Sequence, residues 1–296
     1  QDYSILTFGF VVMTIILCGL SILGSSQLFS TGFNSKLAQL AGGDTISVNK
    51  KSNQQDKISF YKRIENLFTK TPLEKAGFSI IWLVTERSRE FKMQLYPSMA
   101  YVPIYFIFLF LQGRNTTISE QILSVKDKGL YIMIFYFSLL TVLTVFQLIT
   151  KSSKYKAAWI YYAAPLQQTG ELMSGVLKAA FLKYFIPFNL FFLIICVPLF
   201  GAQVMNDILL ATAVGGIESV LIVLFLIKSF PFSQSAEQGK SRALINMLIL
   251  GLLGLIGYLH TLIHQYEILI WIAAMIAWIV FIIMVKYLKK ENWKSL

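Results

Sequence analysis

Charge is what this chain has least of. Only 14% of its 296 residues are Asp, Glu, Lys or Arg, against roughly 25% in an ordinary soluble domain, while 56% are hydrophobic. That balance excludes a solvent-facing globular shell. Cysteine is nearly absent too: Cys18 and Cys196 lie inside apolar runs with no metal or redox spacing, which excludes a disulfide framework and a thiolate zinc site, so we read both as small apolar residues in packed helices. No repeat of 20 to 50 residues is visible. A phosphate loop is missing as well. AEQGKSR carries Gly239, Lys240 and Ser241, but Gln234 stands where the first glycine is required and a helix, not a strand, precedes it.

What is present is a series of apolar runs, at residues 5–24, 97–112, 129–150, 179–200, 208–228, 244–264 and 267–285. Each approaches the roughly 17 to 25 residues a helix needs to cross hydrocarbon. Continuous runs exclude a membrane barrel, whose strands alternate apolar and polar residues. The fold class is therefore all-α: a polytopic integral membrane helical bundle of about seven spans. The first run has no basic leader and no small-residue cleavage pattern after it, so we expect a span there and not a signal peptide.

The net charge of +11 is distributed as membrane topology demands, which argues against nucleic acid as its partner. Of the 26 Lys and Arg, eleven fall in 25–94, four in 151–178, three in 228–242 and four from 286 onward, while 201–207 and the turn near 264 carry none. The positive-inside rule then predicts a cytoplasmic carboxyl terminus and a surface rich in contacts to membrane lipid.

Two polar segments interrupt the runs with more than a turn. PLEKAGFSIIWLVTERSREFKMQLYP has apolar Phe78, Ile81 and Trp82 followed by charged Glu86, Arg87, Arg89, Glu90 and Lys92. It is too short to span, and Pro97 is expected to end it, so we predict an interfacial amphipathic helix. Residues 25–58 ahead of it are polar and read as a flexible linker. The second segment, 151–178, has a basic start, the aromatics Trp159, Tyr161 and Tyr162, then Pro165, Glu171 and Gly175. Pro165 should stop one helix, and Glu171 suits the positive end of the next. A surface hairpin results. Its aromatic and basic residues suit docking against a soluble partner, with an anchor in the lipid interface as the alternative.

Few groups offer chemistry. His260 and His264 share a helical face and could hold a metal, but no HExxH surrounds them and we expect polar anchors. Glu218 lies near the middle of an apolar run, where a charged acid costs on the order of 3 kcal/mol. It is either a carboxylate on a substrate or proton path, or a protonated acid bonded to Ser219 or a neighbouring helix. Lys183 is expected to snorkel. Asn115, Thr116 and Thr117 form a glycosylation sequon of low specificity.

The pattern KAAWIYYAAPLQQTGELMSGVLKA resembles the first cytoplasmic loop of bacterial ATP-binding-cassette exporter permeases of the polysaccharide and drug-export class. In that family an aromatic segment, a proline, an acid and a Gly/Lys re-entry form the coupling helix, and six spans follow an interfacial connecting helix. The resemblance covers about residues 72–290 and implies a connecting helix at 72–96 and a six-span domain at 97–296 with its coupling hairpin at 151–178; the first span at 1–26 and the cytoplasmic linker at 27–71 come from the hydropathy of the chain and depart from that plan. It also implies a non-enzymatic translocation subunit without a cofactor in the bacterial inner membrane, driven by a separate ATP-binding subunit and paired with a second permease, identical or different. Trp159, Tyr162, Pro165 and Glu171 would contact the ATPase, Arg87 and Arg89 would steer it, and Glu218 would lie on the translocation path. The alternatives from other classes are an ion-gradient transporter built on Glu218 and a scaffold subunit of a larger membrane complex.

Overall fold

The computed structural model describes the backbone of residues 51–111, 117–163, 168–227, 229–235 and 243–291. The first expected span, Pro165 and the glycine–lysine–serine run at 239–241 fall outside the described residues. In chain order the helices are α1 (Lys51–Phe68), α2 (Pro72–Arg87), α3 (Arg89–Met99), α4 (Tyr101–Leu111), α5 (Ile118–Asp127), α6 (Ile132–Leu148), α7 (Trp159–Ala163), α8 (Thr169–Ala180), α9 (Ile186–Phe200), α10 (Val204–Leu221), α11 (Ala243–Ile263) and α12 (Glu267–Lys290). Among the described residues there is no strand beyond an isolated bridge between Lys151 and Gln234.

Five described helical stretches are long and apolar enough to cross a bilayer: Arg89–Leu111, Thr169–Phe200, Val204–Leu226, Ile245–Ile263 and Glu267–Lys290. A sixth arises if α5 and α6, which meet at a bend of 72°, are taken as one span. The protein is an all-α polytopic membrane protein. Its outward faces agree with this: Leu190, Phe191 and Ile194 on α9 and Ile268, Met275, Ile276 and Ile283 on α12 are exposed, a surface that only hydrocarbon covers without penalty.

Residues 51–58, read from sequence as part of a flexible linker, are helical in α1. The segment after Pro72 also divides differently from the expectation. Thr71 caps α2 by accepting from the Glu74 N–H, with Pro72 at the first position where a missing N–H costs nothing. The helix then breaks at Ser88, which closes α2 and caps α3 by accepting from the Phe91 N–H. Pro97 lies inside α3 and does not end it, because the helix beyond Ser88 runs on nearly unbroken through Ala100 to Leu111. Arg87 and Arg89, expected on one interfacial helix, thus belong to two.

Two π-turns interrupt the α-helical hydrogen bonding of the long spans. The first, Phe181–Phe185, joins α8 to α9 just before Pro187, whose ring would clash with the Lys183 carbonyl of a regular α-turn. The second, Ile222–Leu226, ends α10, where the Ile227 N–H reaches back five residues to the Ile222 carbonyl at 3.0 Å. Between α5 and α6 the chain turns at Gly129, φ +63°, where an added Cβ would lie 2.9 Å from the His264 ring. Both the backbone angle and the space require glycine there.

The buried core gathers around α6, which contributes Ile132, Ile134, Phe135, Leu139, Val145 and Phe146. This central helix touches α3, α10 and α11.

Candidate functional site

Of the segment read from sequence as a hairpin, the structure describes 151–163 and 168–178, which hold a short 3-10 turn (Tyr155–Ala158), α7 and α8. Its base is fixed by backbone bonds to a distant segment: Phe232 N–H to Ile149 O at 2.7 Å, Gln234 N–H to Thr150 O at 2.9 Å and Ser152 N–H to Gln234 O at 2.9 Å. Phe232 takes a φ of 57° there, a strained angle for a side-chain-bearing residue that the surrounding bonds hold in place. On α7, the Tyr161 ring stacks on Phe230 at 4.8 Å between centroids, with Tyr162 edge-on to the same ring at 5.8 Å. Burial pushes the Tyr161 phenol up to about 12. The Phe-Pro-Phe run at 230–232 is therefore the seat of the hairpin, a role that could have been suspected from two aromatics around a proline in a polar loop. Trp159, Ile160 and Tyr162 remain 67%, 57% and 64% exposed. Three large apolar side chains presented beside Lys154 and Lys156 make a surface fit for a partner.

Behind the hairpin, α8 is locked to α2 and to the end of α12. A Cβ at Gly175 would come within 2.0 Å of the Glu74 carbonyl oxygen, and one at Gly77 within 2.1 Å of the Leu172 carbonyl oxygen. Glycine at both positions lets the two backbones touch. In the contact lies Glu74, fully buried. Its Oε1 accepts from Lys178 Nζ at 2.6 Å, Lys289 Nζ at 2.9 Å and Ser174 Oγ at 3.1 Å, and its Oε2 accepts from the Lys70 N–H at 2.8 Å. Burial opposes ionisation, but the two ammonium groups and the backbone donor outweigh it and hold the Glu74 carboxyl down to about 2. The Gly170 N–H adds a bond to Glu291 O at 3.1 Å. Glu171, in the first turn of α8, is partly exposed.

Arg87 and Arg89 are exposed on either side of the Ser88 joint. They stand at the end of α2 that meets Lys183, whose Nζ donates to the Trp82 carbonyl and to Thr85 Oγ1, and not at the end that meets Ser174 and Lys178. These bonds tie the Lys183 ammonium to α2. The structure places Trp159 and Tyr162 on one short helix, α7, and Arg87 and Arg89 at the α2–α3 joint.

Within the spans, α10 carries two acids. Asp207, buried in its first turn, accepts from Tyr131 Oη at 2.6 Å through Oδ2, while its Oδ1 lies 3.0 Å from His260 Nε2. His260 Nδ1 is in turn 3.2 Å from Tyr136 Oη. The tautomer that uses every donor has His260 Nε2–H donating to Asp207 and Tyr136 O–H donating to Nδ1. This four-member chain joins α6, α10 and α11, and Asp207 went unread in the sequence because a lone acid at a helix start is ordinary. His264 turns away to the Asp127 and Thr261 carbonyls, so the two histidines do not converge as metal ligands.

Glu218 is 7% exposed, and neither of its carboxyl oxygens has a hydrogen-bond partner. The bond to Ser219 expected for a structural acid is not made: Ser219 Oγ donates to the Gly215 carbonyl at 2.7 Å. Thr141 Oγ1 on α6 is likewise buried without a partner, beside a narrow gap lined by Phe146, Phe181, Tyr184 and Ser219.

Among the described residues these features define a polytopic membrane bundle with an exposed aromatic helix seated on Phe230, a buried charge junction at Glu74 and an unpaired buried acid at Glu218. No protein-family model, curated protein or solved structure matches the chain.

Proposed function

We propose that the chain is the membrane-spanning subunit of an ATP-driven exporter, in which a separate ATPase pushes on the 151–178 hairpin and the attached spans move as rigid bodies. The observation that carries this reading is the exposed Trp159, Ile160 and Tyr162 cluster on a hairpin clamped to Phe230, Phe232 and Gln234. An anchor that merely dips into lipid needs no such clamp. A lever does, since force applied to a loose loop is lost.

The hairpin continues into α8, and the Glu74 junction ties α8 to α2 and α12. A push on the hairpin would reach three helices at once. With basic residues concentrated at 25–94, 151–178, 228–242 and beyond 286, the hairpin and carboxyl terminus face the cytoplasm. Trp159, Tyr162 and Glu171, the last in the first turn of α8, meet the ATPase. A second permease copy or homologue completes the pathway, in the bacterial inner membrane.

The test is affinity purification of the intact protein in mild detergent, with mass spectrometry of what stays bound, for wild type and a Trp159→Ala, Glu171→Lys double variant. An ATPase with a complete phosphate loop, present with wild type and lost from the variant, supports the reading. If neither protein brings an ATPase down, the exporter reading fails. The unpartnered Glu218 favours a second reading, a transporter driven by an ion gradient.

A further inference from the structure

We propose that the α2–α3 joint and the π-turn at Phe181–Phe185 together bind one anionic phospholipid, its phosphate held by Lys183, Arg89 and Lys92 and its acyl chains laid along the seam between α4 and α9. The site works with or without an ATPase. It also gives Arg89 a different ligand from the one the resemblance implied.

The depth of the joint in the membrane follows from the contacts of the span Arg89–Leu111. Tyr105 donates to the Leu130 carbonyl and packs on Phe137 at 4.6 Å, while Gln121 of α5 donates to the Leu109 carbonyl at 2.8 Å. Residues 105–111 therefore stand beside the start of α6. Arg89 lies about 24 Å further back at 1.5 Å per residue, toward the other end of α6. There the Phe91 ring packs on Tyr184 at 5.4 Å, and Tyr184 lines the same gap as Val145 and Phe146 in the last turn of α6. The joint, Lys183 and the lysines that follow α6 at 151, 154 and 156 thus share one membrane face. Headgroups lie at that depth.

The polar half of the site is cationic. Lys183 is half-buried, and its Nζ donates to the Trp82 carbonyl and to Thr85 Oγ1 while standing 5.3 Å and 5.5 Å from the centroids of the Trp82 and Tyr184 rings. An ammonium has three N–H donors, and α2 takes two of them. The rings hold the charge in place by cation–π attraction. Arg87 and Arg89 are exposed on either side of Ser88, and Lys92 follows one turn later, close enough with Glu86 to act on the Lys183 charge. Four cations at the joint face two acids, Glu86 and Glu90. The surplus is positive, and the anion already present at this depth is a lipid phosphate.

The apolar half continues from it. On the α3–α4 span Met93 and Tyr96 are exposed beyond Arg89, and Phe106 lies 6.4 Å from Phe192 of α9, whose neighbours Leu190, Phe191 and Ile194 are exposed as well. Acyl chains cover such a surface without penalty. A molecule with an anionic head and apolar tails fits both halves, whereas a soluble anion or an acidic protein surface fits only the first.

The experiment is native mass spectrometry of the full chain in neutral detergent, with phosphatidylglycerol, phosphatidylcholine and inorganic phosphate added in turn. Wild type should retain one phosphatidylglycerol at concentrations where the other two leave it bare. Lys183→Gln should weaken that binding about fivefold, and Arg89→Gln with Lys92→Gln on the order of twentyfold, as removal of cations from beside an anionic headgroup does. The second variant decides the matter if Lys183→Gln fails to fold. Lys154→Gln with Lys156→Gln removes as much charge from elsewhere on the same face and should change nothing. Equal retention of the two lipids would overturn the proposal, as would phosphate bound as tightly as the lipid, or phosphatidylglycerol binding unchanged in the Arg89, Lys92 variant. An ATPase lost from Arg87→Gln with Arg89→Gln while lipid retention stays intact would overturn it too, and would assign the arginines to a partner protein.

Discussion

The carboxyl of Glu74 and the ammonium of Lys178 lie 2.6 Å apart across the line where α2 meets α8, and the same Glu74 oxygen also takes Lys289 of α12 at 2.9 Å. One acid thereby fixes three helices drawn from positions 74, 178 and 289. With no solvent reaching Glu74, the balance between desolvation and pairing decides whether the junction holds.

Removing that acid should loosen the junction severely. Glu74→Ala leaves two ammonium groups facing each other without a counter-charge, and a loss of about 3–5 kcal/mol is expected, read as a lowered midpoint in detergent unfolding. Glu74→Gln also gives a pH signature. The folded carboxyl is held down from 4.5 to about 2, so its contribution is complete above the unfolded value and is lost as pH falls through the folded one. At 1.36 kcal/mol per unit the shift corresponds to about 3 kcal/mol. The stability gap between wild type and Glu74→Gln should therefore shrink between about pH 4.5 and about pH 2, and a gap constant over that window would contradict it.

Glycine substitutions should separate by position. Gly175→Ala drives a methyl into the Glu74 carbonyl, where backbone on both sides cannot yield, and should cost about 1–3 kcal/mol or more. Gly254→Ala meets open space and gains helix propensity, so a stabilisation of up to about 1 kcal/mol is expected. Thermal melts of the two variants side by side check the contrast.

Adjacent aromatics of the hairpin should behave oppositely. Tyr161→Ala removes the ring stacked on Phe230 and should destabilise the protein by about 1–3 kcal/mol. Trp159→Ala removes an exposed ring and should leave stability within about 0.5 kcal/mol, while losing any ATPase that copurifies. Equal melting temperatures for the two would deny that Phe230 seats the hairpin.

The Asp207–His260 contact should show coupling in a double-mutant cycle. Asp207→Asn and His260→Gln each break the pair, and the double variant should be less damaged than their sum by about 0.5–3 kcal/mol. Strict additivity would mean that the 3.0 Å approach carries no energy.

The helical membrane class was legible in the sequence, because hydropathy is a local property and bilayer thickness sets the length of each run. Glu218 too could be singled out, since an acid inside an apolar run is conspicuous whatever surrounds it. The break at Ser88 in place of Pro97 was not legible: a serine that caps and a proline that a helix absorbs differ only in their neighbours. Tertiary structure alone decided that Glu74 meets Lys178 and Lys289, that Asp207 meets His260 and that Ser219 ignores Glu218. Pairings across scores of residues depend on which helix faces touch, and that choice follows from close approaches such as Gly77 against Leu172, not from the composition of either helix.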